Sequence, residues 1–220
     1  MGCDIHFYAE KRVDGKWVSA DQWEHEDGYS HVPSEKEFYN SRNYDLFAIL
    51  ADVRNGRGFA GCKTGNGFNP ISHPKGLPED VSAEVKVASD EMSGDGHSHS
   101  WFTLVELLTY DWTQVAKKRG WVNGILFYKW KKFSSKEGEP DSWCGGVSGE
   151  DVKHVSVPEM EALVQNTKET DLKNLSNTYC LVEWEIHYYE VCRWFLSETI
   201  FKLLRLGKPE DVRIVFFFDN

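Results

Sequence analysis

Val212-Arg213-Ile214-Val215-Phe216-Phe217-Phe218 closes the chain with a run that is apolar at every position but Arg213. β-Branched and aromatic residues fit a pleated surface, and an apolar run without alternation predicts a strand buried on both faces. At the opposite end, Cys3, Ile5, Phe7 and Ala9 alternate with Asp4, His6, Tyr8 and Glu10. That is the period of a half-buried strand. The Asp14-Gly15 pair is a hairpin turn signal, and residues 16–20 would return as the second strand. A buried strand at one terminus and a hairpin at the other already set a sheet protein.

The helical signals lie between these ends. Tyr44, Phe47, Leu50 and Ala51 predict a short helix within residues 43–53. Thr103 with Glu106, and Ser156 with Glu159, fit capping boxes. The first would open a helix running to about Lys118, with Gly120 as its cap, and the second a helix to about Asn166. Residues 79–92 fit helix or strand, and Ile125 to Trp130 and Tyr179 to Trp184 read as strands. Ile186 to Leu204 has near-helical spacing. Residues 54–68 hold five glycines, followed by Pro70, Pro74 and Pro78. Such a stretch without regular structure is expected to be functional or mobile. Residues 93–101 read as a polar loop. The expected fold is α+β: an N-terminal β-hairpin and a mixed or antiparallel sheet with a buried C-terminal strand, packed against several helices. Residues 1–220 read as one domain, with an exposed excursion at 131–155.

Composition narrows the function classes. Hydrophobic residues make up 40% and charged residues 27%, an ordinary globular balance. No apolar run approaches the roughly 20 residues of a membrane span, so no membrane partner is expected. Neither a secretory leader nor a myristoylation pattern is visible at the N-terminus. The net charge of −10 argues against duplex nucleic acid. Five cysteines form an odd set without CxxC, as expected of reduced thiols in a cytoplasm. Aromatics reach 14%, enough to fill a core and leave some as stacking platforms.

Two short motifs suggest chemistry. In Asp4-x-His6 a carboxylate and an imidazole share one face of a strand. In His97-Ser98-His99-Ser100 two imidazoles two apart would converge on a metal if extended, or hold phosphate at the start of the Thr103 helix. Asp4, His6, His97 and His99 together would make a mixed ligand set for a divalent metal such as Zn or Mn. The fragments resemble those of metal-dependent phosphoesterases, but the GDxxD and GNH[DE] segments of the calcineurin-like class are missing. HExxH is missing too. No nucleophile motif such as GxSxG or SxxK is present. Arg42 and Arg54 would clamp a phosphate or carboxylate, and Arg54-Asn55 opens the glycine-rich stretch.

Met1-Gly2-Cys3-Asp4-Ile5-His6 resembles the opening of an uncharacterised group of phage and prophage proteins. The group is also similar in Tyr44-Asp45-Leu46-Phe47-Ala48, in Asp52-Val53-Arg54-Asn55 and in Pro70-Ile71-Ser72. Further similarity lies in Gly76-Leu77-Pro78, in His97-Ser98-His99-Ser100-Trp101 and in the closing Arg213 to Asn220. Residues 120–178 are unmatched. The resemblance implies a viral accessory protein in a host bacterial cytoplasm, where such proteins often counter defence, sometimes by sequestering nucleotide-derived signals. The resulting expectation is a binding protein more than an enzyme. Arg54, Asn55, His97, Ser98 and His99 would hold phosphates or ribose of a small nucleotide-like ligand, and Tyr44 or Trp101 would stack on its base. The alternatives are the phosphoesterase using Asp4, His6, His97 and His99, and a protein inhibitor covering a host enzyme. Self-association is left open.

Overall fold

The computed structural model describes residues 2–26, 29–133 and 138–219. Met1 and Asn220 of the quoted motifs, and residues 134–137 of the 131–155 excursion, lie outside them. The strands are β1 (Asp4–Val13), β2 (Lys16–Ser19), β3 (Glu24–Glu26), β4 (Tyr29–His31), β5 (His97–Thr103), β6 (Val115–Asn123), β7 (Lys153–Val155), β8 (Thr178–His187) and β9 (Val212–Asp219). The helices are α1 (Tyr44–Ala51), α2 (Ala83–Glu91), α3 (Leu104–Thr109), α4 (Gly124–Phe133), α5 (Val157–Asn166), α6 (Tyr188–Val191) and α7 (Ile200–Leu203). The fold is α+β, as the sequence predicts. Where one domain is expected over 1–220, the chain divides into two compact units, each with its own sheet. One comprises Met1–Val53, Asn69–Trp112 and Tyr189–Asn220, the other Arg54–Phe68 and Thr113–Tyr188.

The first unit is built on an antiparallel sheet of order β2-β1-β9-β5. The predicted hairpin forms, with Asp14 and Gly15 both at positive φ (49° and 79°) as a type I′ turn demands. β9 is central, and Val212 to Phe218 are all buried. The apolar face of the sheet carries Ile5, Phe7, Ala9, Phe102, Ile214, Phe216 and Phe218, all buried. Burying each large side chain contributes roughly 1.5–3 kcal/mol. α1 lies under this face: Phe47 meets the Phe218 ring at 5.0 Å, and Leu46 through Ala51 are all buried. The Asn43 side chain caps α1 by accepting from the Asp45 and Leu46 N–H groups. Asp52, left-handed at φ 60°, ends it.

The opposite face holds Asp4, His6, Tyr8, Glu10, Arg213 and Phe217. Sequence alone makes this the wet side of a hairpin, yet Glu10 and Arg213 are almost fully buried. The reason is pairing. Glu10 accepts from Arg213 Nε at 2.6 Å and from the Ser82 N–H at 2.7 Å, while Arg213 also donates to Asp80. Buried charges persist only when matched in this way. The 97–101 segment is a strand and not the predicted loop, because its main chain pairs with β9. The predicted long helix from Ile186 is also broken: β8 continues to His187, and short helical pieces follow.

The second unit has a three-stranded sheet of order β6-β8-β7, with β6 antiparallel and β7 parallel to β8. Here the helix expected to reach Lys118 stops at Thr109, and Val115–Asn123 is β6. The inward residues of β6 are Ala116, Lys118, Gly120 and Val122, a set too small and too polar to register as a hydrophobic alternation. Gly120 is required there, since a Cβ would stand 2.5 Å from the Trp143 ring. Gly124–Phe133 is a helix, not the predicted strand, burying Gly124, Phe127 and Trp130 at three-residue spacing. Within the 131–155 excursion, β7 joins the sheet and Cys144 pairs with Trp121. The glycine-rich stretch is also ordered: the Asn66 N–H donates to the Lys117 carbonyl, and the Arg119 N–H to Thr64.

Candidate functional site

The predicted metal ligands are not brought together. Asp4 receives the Arg42 guanidinium, with Nε to Oδ1 at 2.7 Å, which holds its carboxyl below the usual carboxylate range. His6 Nε2 lies 3.3 Å from Asp219 Oδ2. A bulge in β5, with Ser98 at φ 53°, turns His97 and His99 to opposite faces. His97 stacks on Phe218 at 6.0 Å, whereas His99 stacks on Phe217 at 4.8 Å and contacts Ser89 Oγ at 2.9 Å. Burial, with His97 nearby, lowers the pKa of His99. His6 stacks on Phe217 from the β1 side at 5.0 Å. The Phe217 ring therefore separates the two imidazoles that share a face. Among the described residues no group of three or more His, Cys, Asp or Glu side chains is placed to hold a metal ion. The metal set of Asp4, His6, His97 and His99 is thus corrected by the bulge and by the intervening strand β9.

The predicted ligand set is drawn from both units. Tyr44, His97, Ser98, His99 and Trp101 belong to the first unit, and Arg54 and Asn55 to the second. Lys75 Nζ sits 4.0 Å from the centroid of the Trp101 ring. Tyr44 packs against Phe47 at 5.8 Å. Asn55 clips the glycine-rich loop, donating to the Phe68 carbonyl and accepting from its N–H. His97 Nδ1 and Ser98 Oγ lie 3.0 Å apart.

What the fold does assemble is a cavity of about 460 Å³ in the first unit. Its floor is residues 5–8 of β1. Tyr29, Ser30 and His31 of β4, followed by Val32, Ser34 and Glu37, form one wall, and Ala88 and Glu91 of α2 with the following Met92 form another. Of the predicted residues, only His6 reaches it. The Tyr8 ring stacks on Trp23 at 5.3 Å and 9°, and Tyr29 stacks on His31 at 5.6 Å. Burial raises the Glu37 carboxyl above its ordinary range and raises the Tyr8 hydroxyl too. His31 Nδ1 is buried without a hydrogen-bond partner among the described residues. The lining contains two carboxylates and no Lys or Arg. Tyr8 was legible as sharing the His6 face. Tyr29, His31 and Glu37 fall in a stretch whose sequence shows only mixed polarity.

The class these features define is an α+β protein with two sheet-based units and a polar-aromatic cavity on one sheet of the first. No protein-family model matches the chain, and no curated protein or solved structure matches it either. Among the described residues no helix is long and apolar enough to cross a membrane.

Proposed function

We propose that the first unit binds a small nucleotide-like ligand by its flat base, and that it holds this ligand without turning it over. The observation that carries the reading is the cavity of about 460 Å³, lined by tyrosine and histidine rings and by the carboxylates of Glu37 and Glu91. Small-ligand sites have this size and this mixture of flat walls and few polar groups. The carboxylates of Glu37 and Glu91 favour amino and ring N–H groups over phosphate, so any phosphates lie outside the cavity. This departs from the expectation that phosphate-holding groups dominate. The phage-like opening hexapeptide supports a setting in an infected bacterium. There, a protein that binds a nucleotide-derived signal and leaves it intact sequesters it.

The test is calorimetric titration with nucleosides and their monophosphates, followed by chromatography of the ligand released on denaturation. The expected result is saturable binding, a nucleoside at least as tight as its monophosphate, and recovery of the ligand unaltered. Absence of binding across the panel, or recovery of a cleaved product, overturns the reading.

A further inference from the structure

The hairpin that opens the chain is only half paired. β2 covers β1 at Glu10 to Val13 alone. In a hairpin closed by a two-residue turn, the residues flanking the turn exchange both main-chain bonds, and every second residue repeats that orientation. Val13, Lys11 and Ala9 thus point their N–H and C=O groups toward β2. Ala9 agrees: its carbonyl accepts from the Ala20 N–H, and its own N–H is capped by Asp21 Oδ2 at 2.9 Å. By the same parity Phe7 and Ile5 aim their N–H and C=O groups at this edge, away from β9. Among the described residues no strand pairs with that edge at Ile5 or Phe7. Both residues line the cavity, while the Phe7 side chain is turned away, against Tyr39 and Phe195 on the apolar face.

We infer that this open edge, the main chain of Ile5 and Phe7, is the specificity element of the cavity, and that it takes a base carrying a lactam edge. The inference rests on the cavity-binding reading above and names its ligand class. A strand residue presents a donor and an acceptor side by side, and it is satisfied by a partner offering the reverse pair. A lactam, C=O next to N–H, is such a partner, as in guanine, hypoxanthine and uracil. The open edge spans two residues of one parity, about 7 Å. It is closed at one end by the Asp21 cap on Ala9 and followed at the other by Asp4 with its Arg42 partner. That length suits one base ring and is short for an added peptide strand, which would use more rungs. The neighbouring carboxylates of Glu37 and Glu91 suit the amino and ring N–H groups of a base. Imidazole and phenol rings at His6, Tyr8 and Tyr29 offer the flat faces.

The experiment titrates ¹⁵N-labelled protein with guanosine, inosine and uridine, and then with 1-methylguanosine, 1-methylinosine and 3-methyluridine. Methylation keeps the flat ring and removes the lactam N–H. The expected result is that at least one parent nucleoside shifts the Ile5 and Phe7 amides and slows their hydrogen exchange. Its methylated form should bind about tenfold or more weakly, since a buried main-chain acceptor is left unpaired. A nucleoside that shifts cavity side chains but binds equally well when methylated overturns the edge assignment and leaves the cavity reading standing. If no nucleoside perturbs the cavity at all, both fall.

Discussion

The two ends of one sheet face behave in opposite ways. At the Arg213 end every charged group is matched: Glu10, Arg213 and Asp80 share hydrogen bonds, and the Arg213 guanidinium lies 4.2 Å from the Trp17 ring centroid. At the His6 end β1 borders a cavity, its edge is open, and among the described residues His31 Nδ1 lacks a partner. Both ends are polar, but only at the first are the buried charges matched from within the chain, although Ser82 Oγ there is, like His31 Nδ1, buried without a partner among the described residues. The difference separates polarity that supports the fold from polarity left for a ligand. The covering element decides which is which, since β2 and the Ser82 turn close one end while β4 and α2 stand off from the other.

The largest effect should come from breaking the closed end. Arg213→Ala leaves Glu10 as an unpaired buried carboxylate, and the expected loss is about 3–5 kcal/mol by chemical denaturation. A loss under about 1 kcal/mol would show that this end is no better satisfied than the other. Asp21 sits at the junction, and burial lifts its carboxyl pKa to about 7. An acid raised in the folded state holds its proton more firmly there than when unfolded. The contribution of Asp21 to stability is therefore fully present below about pH 4, the ordinary carboxyl range, and declines as pH rises toward about 7. Asp21→Asn should flatten that decline in a pH series of denaturation midpoints, and an unchanged slope would assign it elsewhere. On the Arg213 rung, Thr103→Ala removes the cap of α3, whose hydroxyl accepts from the Glu106 N–H at 3.2 Å. The expected cost is about 1 kcal/mol in the same denaturation assay.

The closed framework was largely legible from sequence, and the cavity was not. The Val212 to Phe218 run, the alternation from Cys3, the Asp14-Gly15 turn and both capping boxes are local patterns, and each forms as read. β6 escaped because its inward positions are Ala116, Lys118 and Gly120, whose burial depends on neighbours and not on their own apolarity. His97 to Thr103 escaped because its strand state comes from pairing with β9. The cavity joins residues 5–8, 29–37 and 88–92, which no spacing rule connects. Its open edge is main chain, and main chain leaves no mark in a pattern of side chains. Asp4, His6, His97 and His99 were plausible as a set only while the bulge at Ser98 was unknown.

The smallest stability effect, and the sharpest test of the contrast, belongs to Tyr29. Its side chain is 56% exposed, stacks on His31 and lines the cavity. An exposed ring adds little to the core, so Tyr29→Ala should change unfolding free energy by less than about 0.5 kcal/mol. If the cavity holds a base, the same substitution removes a stacking face worth about 1–3 kcal/mol. Nucleoside affinity measured by calorimetry should then fall by about five- to a hundredfold while the denaturation curve stays in place. At the Arg213 end the order is reversed, because a substitution there costs stability before it can affect any ligand. A Tyr29→Ala protein that loses stability without losing affinity would place Tyr29 with the framework, and the open end would then be structural like the closed one.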